Sequence, residues 1–280
     1  MPGPKDLDPS SSPRALLGAE LRHARERAGL SQEELGTPLF VSGSFIGQLE
    51  AGTRRMHLEY ARQIDELLGT DGFFERNCAA IAKSKYPDHF AEAAEAESIA
   101  TAIREYAPLL IPGLLQAPEY ARAIFRDGRP RATDEAIGEL VATRLERAHL
   151  LTGPTSPLLW AILDEAVLRR KVGGPAVMSE ALRHVVAVAH KCRAVIQVLP
   201  FEAGGHMAMG GSLKLMEFEN APPLAYLEGF RIGRLEDDPA SVTEYQLAYD
   251  LLGASALSPR ESLALIEAVA EDYAHEEQQP

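Results

Sequence analysis

Apolar residues recur at helical spacing soon after the chain begins. Leu17, Leu21, Ala24 and Ala28 fall four, three and four residues apart, which is one face of a helix. Arg22, Arg25 and Arg27 lie mostly off that face. Gly29 ends this helix and Ser31 opens the next, with Glu34 three residues later completing a capping-box pattern. A second helix is predicted from about Gln32 to Leu39, weakened by Gly36 and short of one backbone hydrogen bond if it continues past Pro38. Phe40 and Val41 form a short link, and Ser42 caps a third helix that runs to Ala51 and stops at Gly52. A fourth spans roughly Leu58 to Leu68, with Leu58, Ala61, Ile64 and Leu68 on one face. Asp71 is expected to cap a fifth, from Gly72 to about Ser84.

The pattern then changes. Residues 86–105 read as a helical linker rich in Ala and Glu, and Tyr106 to Leu115, with Pro108, Pro112 and Gly113, as an extended or looped connection. Helices are predicted at Pro118 to Phe125, Thr133 to Leu151, Pro175 to His190, Pro239 to Leu252 and Pro259 to about Tyr273. Between them fall strand-like runs at Leu158 to Leu163, Ala194 to Leu199, Ser212 to Phe218, Leu224 to Leu227 and Arg231 to Leu235. The order implies two domains, an all-α one over residues 14–85 and a mixed α/β (α+β) one over 106–275. Residues 1–13 and Glu276 to Pro280 are expected to be disordered tails.

Composition changes the picture in two ways. The 280 residues carry a formal net charge of -13, and nearly all the excess acid lies beyond residue 85. That argues against a protein that coats nucleic acid non-specifically, while leaving room for a small DNA-reading domain on an acidic body. Cys78 and Cys192 are far apart and match no disulfide framework or zinc spacing, which fits a reducing compartment. Neither a signal peptide nor a membrane-length apolar run is seen, so a cytoplasmic protein without membrane contact is expected.

Residues 16–76 carry Leu21 with Arg25, the run Gly29-Leu30-Ser31-Gln32-Glu33-Glu34-Leu35, then Val41-Ser42, Ile46, Leu49, Glu50, Gly52 and Arg54. In this order they resemble the lambda-repressor and Cro type of helix-turn-helix, the XRE family. Phe40 stands where that family usually has glycine. The resemblance implies a five-helix DNA-binding domain whose third helix enters the major groove. Apolar packing by Leu35, Leu39, Val41, Ile46 and Leu49 would hold the crossing angle of helices two and three. The outward residues of the third helix are then Gly43, Ser44, Phe45, Gly47 and Gln48, following its cap Ser42. Gln48 suits adenine, Ser44 a base or phosphate, and Phe45 either a thymine methyl or the core. Gln32, Arg54 and Arg55 are candidates for phosphate contact. Arg25, with Arg22, either clamps the backbone or lies on an ordinary solvated face. Glu50 reads as structural, accepting a hydrogen bond or pairing with an arginine.

A second resemblance spans about residues 97–267. Its words are Tyr106-Ala107-Pro108, Ile111 to Gln116, Pro118 to Ala121, Arg144 to Arg147, Asp164 to Arg169, Gln197 to Phe201, Gly204 to Gly211 and Glu228-Gly229. They are similar to the carboxy-terminal domain of actinobacterial, Streptomyces-type regulators that carry this kind of helix-turn-helix. The resemblance implies control of differentiation or secondary metabolism, and a small companion protein as a partner. Within this domain Asp164, Glu165, His206 and Met207 are candidates for a ligand or partner surface, though Glu165 and Arg169 equally suit a helical salt bridge. The glycine-rich loop Gly204 to Gly211 is a lid, a partner surface or a plain connection; it lacks the P-loop ending and the dinucleotide fingerprint. Trp160 reads as core.

The expectation is therefore a sequence-specific transcription regulator that binds double-stranded DNA as a homodimer, under the control of a small-molecule effector or companion protein. No enzyme activity, cofactor or metal is expected. The alternatives are an antitoxin-like module that captures a small companion protein, and an enzyme with a regulatory DNA-binding head.

Overall fold

A computed structural model describes residues 9, 13–80, 88–229 and 232–277. Five helices open the chain: α1 (Pro13–Arg27), α2 (Gln32–Gly36), α3 (Gly43–Glu50), α4 (Leu58–Leu68) and α5 (Phe73–Ala80). They enclose one apolar cluster that includes Leu17, Leu21, Leu35, Ile46, Leu49, Ile64 and Phe74. Each fully buried Leu or Ile contributes about 1.5–3 kcal/mol, and this shared core holds helices too short to stand alone. Two elements follow where the sequence predicts a helical linker. They are α6 (Asp88–Glu97) and the strand β1 (Ala102–Ala107). The strand escapes the sequence reading because Arg104 and Glu105 interrupt its apolar run.

The rest of the chain runs α7 (Pro118–Gly128), α8 (Asp134–Ala148), β2 (Leu158–Asp164), α9 (Glu165–Arg169), α10 (Pro175–Lys191), β3 (Ala194–Leu199), β4 (Ser212–Glu217), β5 (Leu224–Gly229), β6 (Ile232–Glu236), α11 (Pro239–Ser255) and α12 (Pro259–Glu277). The six strands form one sheet in the order β3-β2-β1-β4-β5-β6. β1 pairs parallel with β2, and β2 with β3, so both links are crossovers carrying helices. The fold is an all-α helix-turn-helix region followed by a mixed α/β domain. By internal packing the chain divides into two compact units. The first holds residues up to Ala100 with Met216–Tyr226 and Phe230–Glu244; the second holds Thr101–Leu215, Leu227–Gly229 and Tyr245–Pro280.

Within the second unit, α10 packs on α12 through buried Leu182, Val185, Ile266 and Val269. Ser179 Oγ donates to the Ala270 carbonyl at 2.8 Å, and Tyr273 Oη to the Leu168 carbonyl at 3.0 Å. Trp160 is half-buried rather than wholly core, and its indole N–H donates to Gln197 Oε1 on the neighbouring strand at 2.7 Å. Glu276 and Glu277, expected in a disordered tail, end helix α12. Most of the expected amino-terminal tail, residues 81–84 of the predicted fifth helix and residues 278–280 lie outside the described residues.

Candidate nucleic-acid interface

Two serine caps frame the helix-turn-helix. Ser31 Oγ accepts from Glu34 N at 3.2 Å while the Glu34 carboxylate accepts from Ser31 N at 2.8 Å, the reciprocal box read from the sequence. These hydrogen bonds hold the Glu34 carboxyl below its ordinary range. Ser42 Oγ accepts from Phe45 N at 3.0 Å and starts α3. The second helix is shorter than expected. It is α-helical only to Gly36, and Thr37–Leu39 tighten into a 3-10 turn, because Pro38 has no N–H to continue the ladder.

Phe40 then takes the left-handed conformation (φ 56°, ψ 36°) that glycine usually supplies. Its ring is 96% exposed, so this strained corner carries no core packing. Gly36 is what lets the turn close. A Cβ there would lie 2.6 Å from the Val41 carbonyl oxygen, whose own N–H donates back to Gly36 O at 3.1 Å. Gly43 and Gly47 bring α3 close to α2. A Cβ on Gly43 would meet Glu33 Oε2 at 2.5 Å, and one on Gly47 would meet Gln32 Oε1 at 3.0 Å.

Behind the motif, α1 is locked to α3 by a buried ion pair. Arg25 Nε donates to Glu50 Oε1 in a very short contact, its second arm to Glu50 Oε2 at 3.1 Å, and its third to the Leu30 carbonyl at 2.6 Å. The Glu50 contact is the largest cause holding the Arg25 guanidinium above its usual range. Gln32 Nε2 donates to the same carboxylate at 2.8 Å. Arg25 is thus a positioning residue and not a backbone clamp, and Glu50 has the structural role expected of it. In the fifth helix, Asp65 replaces Asp71 as the cap: its carboxylate accepts from Phe74 N at 3.1 Å and Glu75 N at 2.8 Å. Asp71 instead occupies a left-handed turn at φ 51°.

Several side chains expected to face outward do not. Phe45 belongs to the apolar core and meets Tyr60 edge-on at 5.0 Å. Gln48 is fully buried, and neither atom of its amide has a hydrogen-bond partner among the described residues. Gly43 is buried, and its N–H donates to the Glu33 carboxylate at 3.0 Å. Arg54 lies over the Phe45 ring at 4.4 Å and pairs with Asp237 at 3.1 Å and, more loosely, Glu92 at 3.8 Å. Helix α6 holds two more groups of this region, with Glu95 2.8 Å from Arg14 and Glu92 against His57. Gly47, Gln32, Ser42 and Arg55 remain partly exposed, and Phe40 and Thr37 are exposed; Ser44 is partly exposed, but its Oγ is buried without a partner among the described residues. The helical period misplaced Phe45 and Gln48 because it cannot foresee burial on the far side of a short helix.

The candidate ligand residues gather elsewhere, at the carboxyl ends of the parallel strands. Tyr106, near the end of β1, directs its Oη between Asp164 Oδ2 at 3.1 Å and His206 Nε2 at 3.1 Å. Burial, then the Asp164 charge, push the Tyr106 phenol far above its ordinary value, so it stays protonated. Asp164 Oδ1 caps α9 through Ala166 N at 2.9 Å. Glu165 bonds Arg169 in the expected salt bridge and also accepts from Phe201 N at 3.1 Å. Met207 is 67% exposed. Asp164 and His206 are brought together by Tyr106, a residue the sequence reading does not single out, whereas Glu165 turns to Arg169 and Phe201.

This geometry defines a protein with a helix-turn-helix domain. Residues 16–72 match a family described as a helix-turn-helix domain. Residues 90–268, more than half of the chain, match one described as a domain of unknown function, DUF5753, and the chain belongs to that family. Comparisons with curated proteins and with solved structures return no match. Among the described residues, no helix is long and apolar enough to cross a membrane.

Proposed function

We propose that this chain is a cytoplasmic, sequence-specific transcription regulator of the XRE type, belonging with the actinobacterial regulators its sequence resembles. It reads DNA as a dimer and is controlled through its carboxy-terminal domain, which binds rather than catalyses. The observation that supports this most is the doubly capped α2–α3 motif, whose crossing is fixed by Gly36, Gly43 and the Arg25–Glu50 pair. On α3, the Ser44 Oγ is buried without a partner among the described residues and must turn outward to meet a base edge, while Arg55 is the basic group best placed for phosphate. Two such motifs would read half-sites about 34 Å apart. Arg54, held by Asp237 and Glu92, exchanges those carboxylates for phosphate when DNA binds.

Selection of bound duplexes from a random pool, followed by titration at two salt concentrations, tests this. Ser44→Ala should change sequence preference. Arg55→Ala should weaken all duplexes alike and reduce the salt slope by about 1. No preference among duplexes at physiological salt, or two variants indistinguishable from the parent, would refute the assignment.

A further inference from the structure

The second unit carries a polar cluster that DNA reading does not use. Tyr106 Oη has one hydrogen and two partners. The Asp164 carboxylate is the stronger acceptor, so the phenol donates to it and His206 Nε2 donates to the phenol oxygen. The other ring nitrogen, His206 Nδ1, is then the open one. It is buried and has no partner among the described residues. Asp164 has no arginine or lysine in ion-pair range among the described residues; only His206 comes within 4 Å, at 3.9 Å. Glu165, by contrast, is neutralised by Arg169 at 3.0 Å. The cluster therefore offers one uncompensated carboxylate and one free ring nitrogen.

Its rim is apolar. Phe201 is 57% exposed, Met207 67% and Met209 70%, all on the loop that delivers His206. Three large apolar side chains thus stand in water within five positions of His206 in the chain, and Asp164 is half-buried. An aromatic face and thioethers favour an apolar or cationic guest and adapt to its shape. The parallel register puts the ends of β1, β2 and β3 on one side, with Tyr106 opposite Ile162 and Asp164 opposite Leu199. Ligands of open α/β sheets bind outside such carboxyl ends.

We propose that this cluster is a binding site for a small molecule with an apolar body and a protonated amine, the amine donating to Asp164 and His206 Nδ1 and the body lying on Phe201, Met207 and Met209. It deepens the reading of the carboxy-terminal domain as the controlling one. Its test uses no DNA, so the two readings can fail separately.

The test titrates the full chain with 4-phenylbutylamine, and separately with 4-phenylbutyrate, by calorimetry and ligand-observed NMR. The amine should bind with a dissociation constant on the order of 1 mM or below, and the carboxylate at least tenfold more weakly. Asp164→Asn, which keeps the helix cap, and Tyr106→Phe, which keeps the ring, should each weaken the amine at least tenfold. Trp160 emission checks that each variant is folded. If Asp164→Asn fails that check, Phe201→Ala with Met209→Ala takes its place, and these rim changes should cost threefold or more. No amine binding at 10-fold above 1 mM, equal binding of amine and carboxylate, or folded variants that bind like the parent would each overturn the proposal.

Discussion

Replacing Glu50 by alanine should strongly destabilise the helix-turn-helix region while sparing the larger domain. Glu50 is 4% exposed in its side chain and Arg25 10%, so the pair is screened from water. Removing the carboxylate leaves the guanidinium buried with the Leu30 carbonyl and frees the Gln32 amide. Breaking one partner of a buried pair costs about 3–5 kcal/mol. A domain of some 70 residues is stabilised by only about 4–10 kcal/mol. The loss should therefore lower its transition by more than about 12 °C. The chain has a single tryptophan, Trp160, and it lies in the other unit, so its fluorescence should not report this change. Hydrogen exchange at the Ile46 and Leu49 amides should report it, with protection falling about a hundredfold or more. The double variant Arg25→Met with Glu50→Leu should recover most of the protection, since an apolar pair of similar volume needs no charge compensation. A loss below about 1 kcal/mol, or a double variant as unstable as the single, would refute the assignment of the pair as the lock between α1 and α3.

Four further outcomes follow from the same geometry. Ser31→Ala should cost about 1 kcal/mol of helix-turn-helix stability in urea unfolding, through loss of the cap. Glu34 is held below its ordinary range by the Ser31 hydrogen bonds, so its contribution is present above the unfolded value near about 4.3 and fades as pH falls through the folded one; Glu34→Gln should remove that part of the acid dependence, measured by unfolding between pH 2.5 and 6. Gly36→Ala pushes a methyl into the Val41 carbonyl and should cost about 1–3 kcal/mol, whereas Gly47→Ala meets only the movable end of Gln32 and should cost less, both read by thermal unfolding. Glu92→Gln with Asp237→Asn should raise affinity for every duplex alike in gel-shift titrations, because Arg54 then competes with no carboxylate; unchanged affinity would show that the two acids do not restrain it.

Much of the architecture is legible in the residues themselves because it depends on neighbours in sequence. A serine and a glutamate three positions apart define the start of α2, and Ser42 defines α3, since both caps use backbone groups within one turn. The runs that become β2 and β3 are visible for a similar reason: they are largely buried and apolar apart from Asp164 and Gln197. Strand β1 hides because charged Arg104 and Glu105 lie within it.

Long-range packing decided the rest. Helical period says that Phe45 and Gln48 share a side of α3, yet only the packing of the rest of the chain determines that this side is covered. Arg25 and Arg54 look alike as surface cations, but each has met a carboxylate brought near by folding, Glu50 for one and Asp237 for the other. Tyr106, Asp164 and His206 are separated by 58 and 42 positions along the chain, and no local rule joins them. They meet because parallel strands must end on the same side, and that alignment is a property of the sheet and not of any segment in it.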